Sequence, residues 1–167
     1  MKVIFYILLF AFSSLNAQFI NARIGVNGLT CSACSRSVEI SLRKLPFVDS
    51  VQMDLKKTEA LVFFKKGTKV DMERLAKAVS DAGFSVRSLQ AAYHFVNTEV
   101  TENTCLSLGG DNFQFVKTAK KSLNGIVQLK FIGSKYMSKT DYNAWSALLK
   151  SSCSTGGEKV KNYFVTM

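Results

Sequence analysis

Residues 28–34 read Gly-Leu-Thr-Cys-Ser-Ala-Cys, and the period of the hydrophobic pattern changes across this stretch. Before it, residues 19–26 have the composition of a β-strand, with branched apolar side chains on one face. After it, apolar residues recur at the spacing of an amphipathic helix, at Val38, Leu42 and Leu45. Residues 28–31 are therefore predicted to form a loop that joins a strand to a helix and carries Cys31.

The alternation of strand and helix patterns continues to about Gln90. Pro46 marks the end of the first helix, because proline disfavours helical backbone at the residue before it. The sequence then predicts a strand, a second strand, a helix and a last strand, at 48–53, 60–64, 72–79 and from Phe84. Gly83 stands where a left-handed C-cap belongs. The order β-α-β-β-α-β predicts a ferredoxin-like, split βαβ fold.

The motif and its surroundings resemble the heavy-metal-associated domain family, which includes copper chaperones and periplasmic mercury-binding proteins. The resemblance covers about residues 19–90, and beyond the motif it is carried by Ser37-Val38-Glu39, Leu42, Leu45-Pro46, Val48, Val51 and Ala82-Gly83-Phe84. Leu29 stands where the family usually has methionine, a buried loop anchor, so metal binding should survive the difference. The resemblance also implies that Phe84 packs near the metal loop without being a ligand.

Residues 91–167 have a different sequence pattern, and we recognise no family in them. Short strand-like runs are separated by Gly and Asn turns, at 93–96, 113–116, 127–132 and 163–165. One helix is predicted from Ser138, with Asp141 as the acid of a capping box. The whole chain is therefore expected to be α+β and to have three parts. Residues 1–17 are expected to be a signal peptide, residues 18–90 a ferredoxin-like domain, and residues 91–167 a small, mostly β domain with one helix.

Composition excludes several classes of site. The chain of 167 residues has a formal charge of +10 and a single histidine, His94, so sites that need two imidazoles are excluded. Walker loops, G-x-S-x-G motifs and dinucleotide fingerprints are absent from the sequence. The paired lysines at 56–57, 65–66 and 120–121 are most simply solvent-exposed residues of turns, so we expect no nucleic-acid partner. A basic surface would still favour docking to an acidic partner domain or an anionic membrane.

The first residues predict export. Lys2 precedes an apolar run from Val3 to Phe12, and small residues then allow cleavage near Ala17. The run is short for a membrane anchor, and we expect no transmembrane segment in the mature chain. The protein should therefore be exported, either to a bacterial periplasm or as a secreted protein.

Cys31 and Cys34 admit three interpretations: a metal site, a redox pair or a simple disulfide. A thioredoxin-type pair usually has an aromatic residue before the first cysteine, and Thr30 stands there. Cys34 falls in the first turn of the predicted helix, where free N–H groups and the helix dipole favour a thiolate. Two sulfurs without further ligands suit Cu(I) or Hg(II), whereas structural zinc uses four ligands. Only the reduced pair would bind metal.

The expected function is thus an exported copper(I) carrier or scavenger that passes one ion to a metal-transport partner by thiolate exchange. Such transfer catalyses no covalent chemistry, so we expect a non-enzyme, and a monomer. The alternatives are a mercury(II) scavenger, a thiol–disulfide oxidoreductase using the same pair, and an interaction module whose metal site is vestigial. Cys105 and Cys153 are expected to form a structural disulfide, with a second metal site as the alternative.

Overall fold

The computed structural model describes residues 18–149, 153 and 160–167, so the predicted signal peptide at 1–17 lies outside the described residues. The described elements are, in chain order, β1 (Phe19–Asn27), α1 (Ser32–Arg43), β2 (Val48–Asp54), β3 (Glu59–Phe64), α2 (Met72–Asp81), β4 (Ser85–Val100), β5 (Cys105–Leu108), β6 (Asp111–Phe115), β7 (Lys121–Ile132), α3 (Lys139–Ser146) and β8 (Asn162–Thr166). The α+β class and the initial βαββαβ order are confirmed.

The first half of the described chain is a four-stranded antiparallel sheet packed against two helices. Its strands lie in the order β2-β3-β1-β4, so β1 is central. Helix α1 buries Val38 and Leu42 as the helical spacing predicts, and α2 is capped by Asp71, whose carboxylate accepts from the N–H of Arg74. Because β1 is held on both edges and buried beneath the helices, the loop after Asn27 starts from a rigid base.

Strand β4 carries the sheet into the second half of the chain. It runs to Val100, and its far edge pairs with β7, with Gln90 opposite Lys130. The boundary predicted between residues 90 and 91 therefore falls inside a strand. Within the described residues, all eight strands form one sheet in the order β2-β3-β1-β4-β7-β8-β6-β5. The alternating apolar residues of β4 continue across residue 90, at Leu89, Ala91, Tyr93 and Phe95, all of them buried.

The two halves share one hydrophobic core. Phe19 of β1 lies 4.8 Å from Tyr93 and 5.5 Å from Phe113, ring centre to ring centre. At the N-terminal end of α2, Lys161 Nζ lies 2.7 Å from Asp71 and 3.0 Å from Glu73. Aromatic packing thus holds the second half against β1, and ion pairs hold it against the start of α2.

The second half is mostly strands with one helix, as predicted. The hydroxyl of Ser138 accepts from the N–H of Asp141, so Ser138 caps the helix as predicted. The carboxylate of Asp141 accepts from that hydroxyl, whereas the N–H of Ser138 donates to the carbonyl of Arg87, so the return bond of a capping box is not formed. Strand β5 was not predicted, because four residues are too few to establish a hydrophobic period. Cys105 on β5 is joined to Cys153 by a disulfide, as predicted. Across the described ranges, every helix is too short or too polar to cross a bilayer.

Candidate metal centre

The loop between β1 and α1 turns sharply at Gly28. Its φ of +87° is a left-handed conformation that glycine adopts without strain, and its carbonyl accepts from the N–H of Thr30 at 2.9 Å. The next side chain, Leu29, is 3% exposed and belongs to the core, so it fills the anchoring role that the sequence predicted. The loop is therefore fixed at its base, while Thr30 and Cys31 are exposed.

Cys31 is the N-cap residue of α1. Its backbone is extended, with φ −142° and ψ 160°, and its Sγ accepts from the N–H of Cys34 at 3.1 Å. Its carbonyl accepts from the N–H of Ser35 at 3.1 Å, the first helical hydrogen bond. The sequence did not predict this cap because Thr30, one residue earlier, is the residue type that usually caps a helix.

Cys34 lies in the first turn of α1, as predicted, and is half-buried against the core. That turn contains no acidic residue. The unpaired N–H groups and the positive end of the helix dipole therefore act on both sulfurs without a competing carboxylate in the turn. This environment favours negative charge on a free sulfur.

Cys31 and Cys34 are joined by a disulfide in the structure, with their Cα atoms 5.2 Å apart. The backbone thus brings both sulfurs to one place at the helix end, and the pair is oxidised. Within the described part of the chain, no group of three or more His, Cys, Asp or Glu side chains is placed to hold a metal ion. After reduction, the pair would offer two sulfur ligands, and no histidine or carboxylate of the described residues would join them.

Phe84, which lies between α2 and β4, packs beside the cysteine loop. Gly83, with φ +89°, ends α2 as predicted, and the N–H of Phe84 donates to the carbonyl of Val79. A Cβ atom at Gly28 would lie 3.5 Å from the ring of Phe84. The ring therefore covers the base of the cysteine loop, where the sequence placed it.

Other donor side chains noted in the sequence lie away from this loop or within the core. His94 is on β4, nine residues beyond Ser85, which corresponds to about 30 Å of strand. Met137 is 3% exposed and packs with Val116 and Ile132. Neither joins the cysteine pair.

Comparisons with known proteins agree on the first half of the chain. The family model of the heavy-metal-associated domain matches residues 23–85. The copper chaperone CopZ of Staphylococcus haemolyticus is 35% identical over 68 residues, which are 41% of this chain and 98% of that protein. The periplasmic component of mercuric transport from Shigella flexneri is 39% identical over 36% of this chain and 66% of its own length.

A longer protein and a solved structure also match part of this chain. Copper-transporting ATPase 1 of Rhizobium meliloti is 37% identical over 41% of this chain, but the match spans only 8% of the ATPase. The solved structure of oxidised MerP from Ralstonia metallidurans is 33% identical, with a TM-score of 0.37, covering 41% of this chain and 96% of that one. Through its first half, this chain belongs to the heavy-metal-associated domain family.

Proposed function

We propose that this protein is an exported carrier or scavenger of a soft metal ion, most simply copper(I), and that Cys31 and Cys34 are its ligands. The observation that carries the proposal is the meeting of two sulfurs at an exposed helix N-terminus, in a chain that belongs to the heavy-metal-associated domain family. Relatives named as a copper chaperone and a mercuric transport protein support a soft ion as cargo.

The chemistry follows from the local geometry. In the reduced protein, the N–H of Cys34 is placed to donate to the sulfur of Cys31, and the helix end favours thiolate charge on both residues. Two thiolates suit Cu(I) and Hg(II), because both ions are soft and accept low coordination numbers. Cys31 is exposed, so an incoming sulfur ligand has access to a bound ion.

Transfer is proposed to proceed by ligand exchange. A thiolate of a partner protein forms a bond to the ion, and then one bond between the ion and Cys31 or Cys34 breaks. The ion is passed on without catalysis of covalent chemistry, so no enzyme activity is invoked. The partner is a donor or acceptor metal-transport protein, and the relative named as a copper-transporting ATPase supports this class.

The disulfide sets a condition on this function. Binding requires that an external dithiol reduce Cys31–Cys34, giving two thiols and an oxidised dithiol. Outside the cytosol such a reductant, or delivery of the reduced protein, has to be supplied. The same disulfide favours a second candidate, a thiol–disulfide oxidoreductase that uses this pair.

A paired titration separates the candidates. We expect the reduced protein to bind one Cu(I) per chain through the first pair, in competition with a chromogenic Cu(I) chelator, and to show no insulin-reductase activity above the reductant alone. A parallel titration with Hg(II) compares the two cargo ions. Insulin reduction together with weak, non-stoichiometric metal binding would overturn the carrier and support the oxidoreductase.

A further inference from the structure

A cleft of about 810 Å³ lies where the second half of the chain meets α2. One wall is the exposed side of α2, from Glu73 to Ser80, and the opposite wall is the segment from Ser134 to Lys139. The cleft exists because two contacts hold that segment in place: a bridge between Met137 and Ser88, and the N–H of Ser138 donating to the carbonyl of Arg87. Both halves of the chain are therefore needed to form it.

The floor of the cleft is apolar. Ala76 of α2, Val86 of β4 and Met137 line it, and each is less than a tenth exposed. An unbranched methionine side chain adapts its shape to different partners. A volume of this size, within the 300–1,000 Å³ that is usual for small-molecule sites, gives room for an aromatic or aliphatic body.

The rim is cationic. Five lining residues are Lys or Arg and one is acidic: Arg74, Lys77, Lys135, Lys139, Lys161 and Glu73. Glu73 interacts with both Lys135 and Lys161, whose hydrogen bonds hold the pKa of its carboxyl below the ordinary value. The single acid of the rim therefore stays ionised and already paired.

Two rim cations remain without a carboxylate. Lys77 pairs with Asp81 on the same helix, whereas Arg74 and Lys139 have no acidic partner within ion-pair distance among the residues that the structure describes. Hydroxyl groups of Ser85 and Ser134 add hydrogen-bond donors to the wall. The rim thus has an excess of positive charge and donors over an apolar floor.

We propose that this cleft binds a small amphipathic anion, an organic carboxylate, sulfonate or phosphate ester with an apolar body. The apolar body lies on Met137 and Val86, and the anionic group lies between the cations of the rim. The cleft reaches Asn27 and Ser85, beside the base of the cysteine loop, but neither Cys31 nor Cys34 lines it. The proposal therefore does not use the metal ligands and would survive the failure of the metal site.

The probe is 8-anilino-1-naphthalenesulfonate, measured by fluorescence titration with the full chain. We expect one saturable site, and at least about tenfold weaker binding of N-phenyl-1-naphthylamine, which has the same rings without the sulfonate. Arg74→Gln/Lys139→Gln should weaken the sulfonate at least about tenfold, because these two rim cations have no carboxylate partner and each charged hydrogen bond contributes substantially. The matched control, Lys56→Gln/Lys120→Gln, removes two exposed lysines away from the cleft and should leave binding unchanged.

A second variant fills the cleft without changing its charge. Ser134→Trp should abolish probe binding while the circular dichroism spectrum stays the same, and Cys31→Ser/Cys34→Ser should bind the probe like the wild type. Equal binding of the neutral compound would overturn the anionic part of the proposal. Absence of a saturable site, or unchanged binding in both cleft variants, would overturn the site itself.

Discussion

The disulfide Cys31–Cys34 joins residues three apart at an exposed loop, whereas Cys105–Cys153 joins residues 48 apart and buries Cys153. In the chain-entropy model, the long loop contributes about 4 kcal/mol and the short one about half as much. The short pair lies at a helix end that favours thiolates, while the long pair fastens the edge strand β5. The same bond is thus placed for chemistry in one region and for stability in the other.

The largest expected effect separates the pairs by metal affinity. In reduced protein, Cys31→Ser or Cys34→Ser should weaken Cu(I) binding at least about 10³-fold, about 4 kcal/mol, because one of two sulfur ligands is lost. The matched control, Cys105→Ser/Cys153→Ser, should bind with the affinity of the wild type. Stoichiometric binding retained in Cys31→Ser/Cys34→Ser would place the site elsewhere.

The next effect separates the pairs by stability. Cys105→Ser/Cys153→Ser should lower the free energy of unfolding by about 4 kcal/mol, measured by urea denaturation of oxidised protein. Cys31→Ser/Cys34→Ser should cost clearly less under the same conditions. Peptide mapping that finds Cys105 and Cys153 as free thiols in protein purified without reductant would contradict the structural role.

A smaller effect concerns the anchor of the cysteine loop. Leu29→Ala should lower the free energy of unfolding by about 2–3 kcal/mol, because a buried leucine leaves a cavity. Leu29→Met nearly conserves the volume and should cost less than about 1.5 kcal/mol. Thermal or urea unfolding of the two variants checks the difference, and equal costs would show that Leu29 is not packed as described.

The smallest expected effect concerns the ion pairs between the halves. Hydrogen bonds from Lys135 and then Lys161 lower the pKa of Glu73, so its contribution is present above the ordinary carboxyl pKa and is lost as pH falls through the lowered value. In Glu73→Gln the acid-range loss of stability should be shallower, by less than about 1 kcal/mol since the side chain is partly exposed. If the free energy of unfolding depends on pH identically in Glu73→Gln and in the wild type, Glu73 does not have this role.

The predictability of the fold differs between the same two regions. Residues 19–90 were predictable because each helix and strand has a clear hydrophobic period and short connections join them. Pro46 and Gly83 mark the ends of the two helices. The joining of the halves was not, since a strand pattern does not show which edge it pairs with, and β4 runs through residue 90. The polar start of β7, from Lys121, is a strand because it pairs with β4 rather than through its own apolar content.

The candidate site was predictable at the level of residues but not of detail. The spacing of Cys31 and Cys34 and the helical pattern after them placed Cys34 in the first turn of a helix and Cys31 in the loop just before it. The side-chain cap by Cys31 depends on where the helix begins to within one residue, and hydrophobic periodicity does not resolve that. The cationic cleft was not predictable, because its walls come from segments about sixty residues apart.

The central claim is that the reduced Cys31–Cys34 pair is the metal site, and one sample tests it most directly. Circular dichroism and Cu(I) affinity are measured on the same protein before and after mild reduction, with both disulfides confirmed at the start. We expect reduction to create tight binding of one Cu(I) at the first pair while the spectrum remains essentially unchanged, since the βαββαβ core does not depend on the metal. Equally tight Cu(I) binding by the fully oxidised protein would contradict the claim.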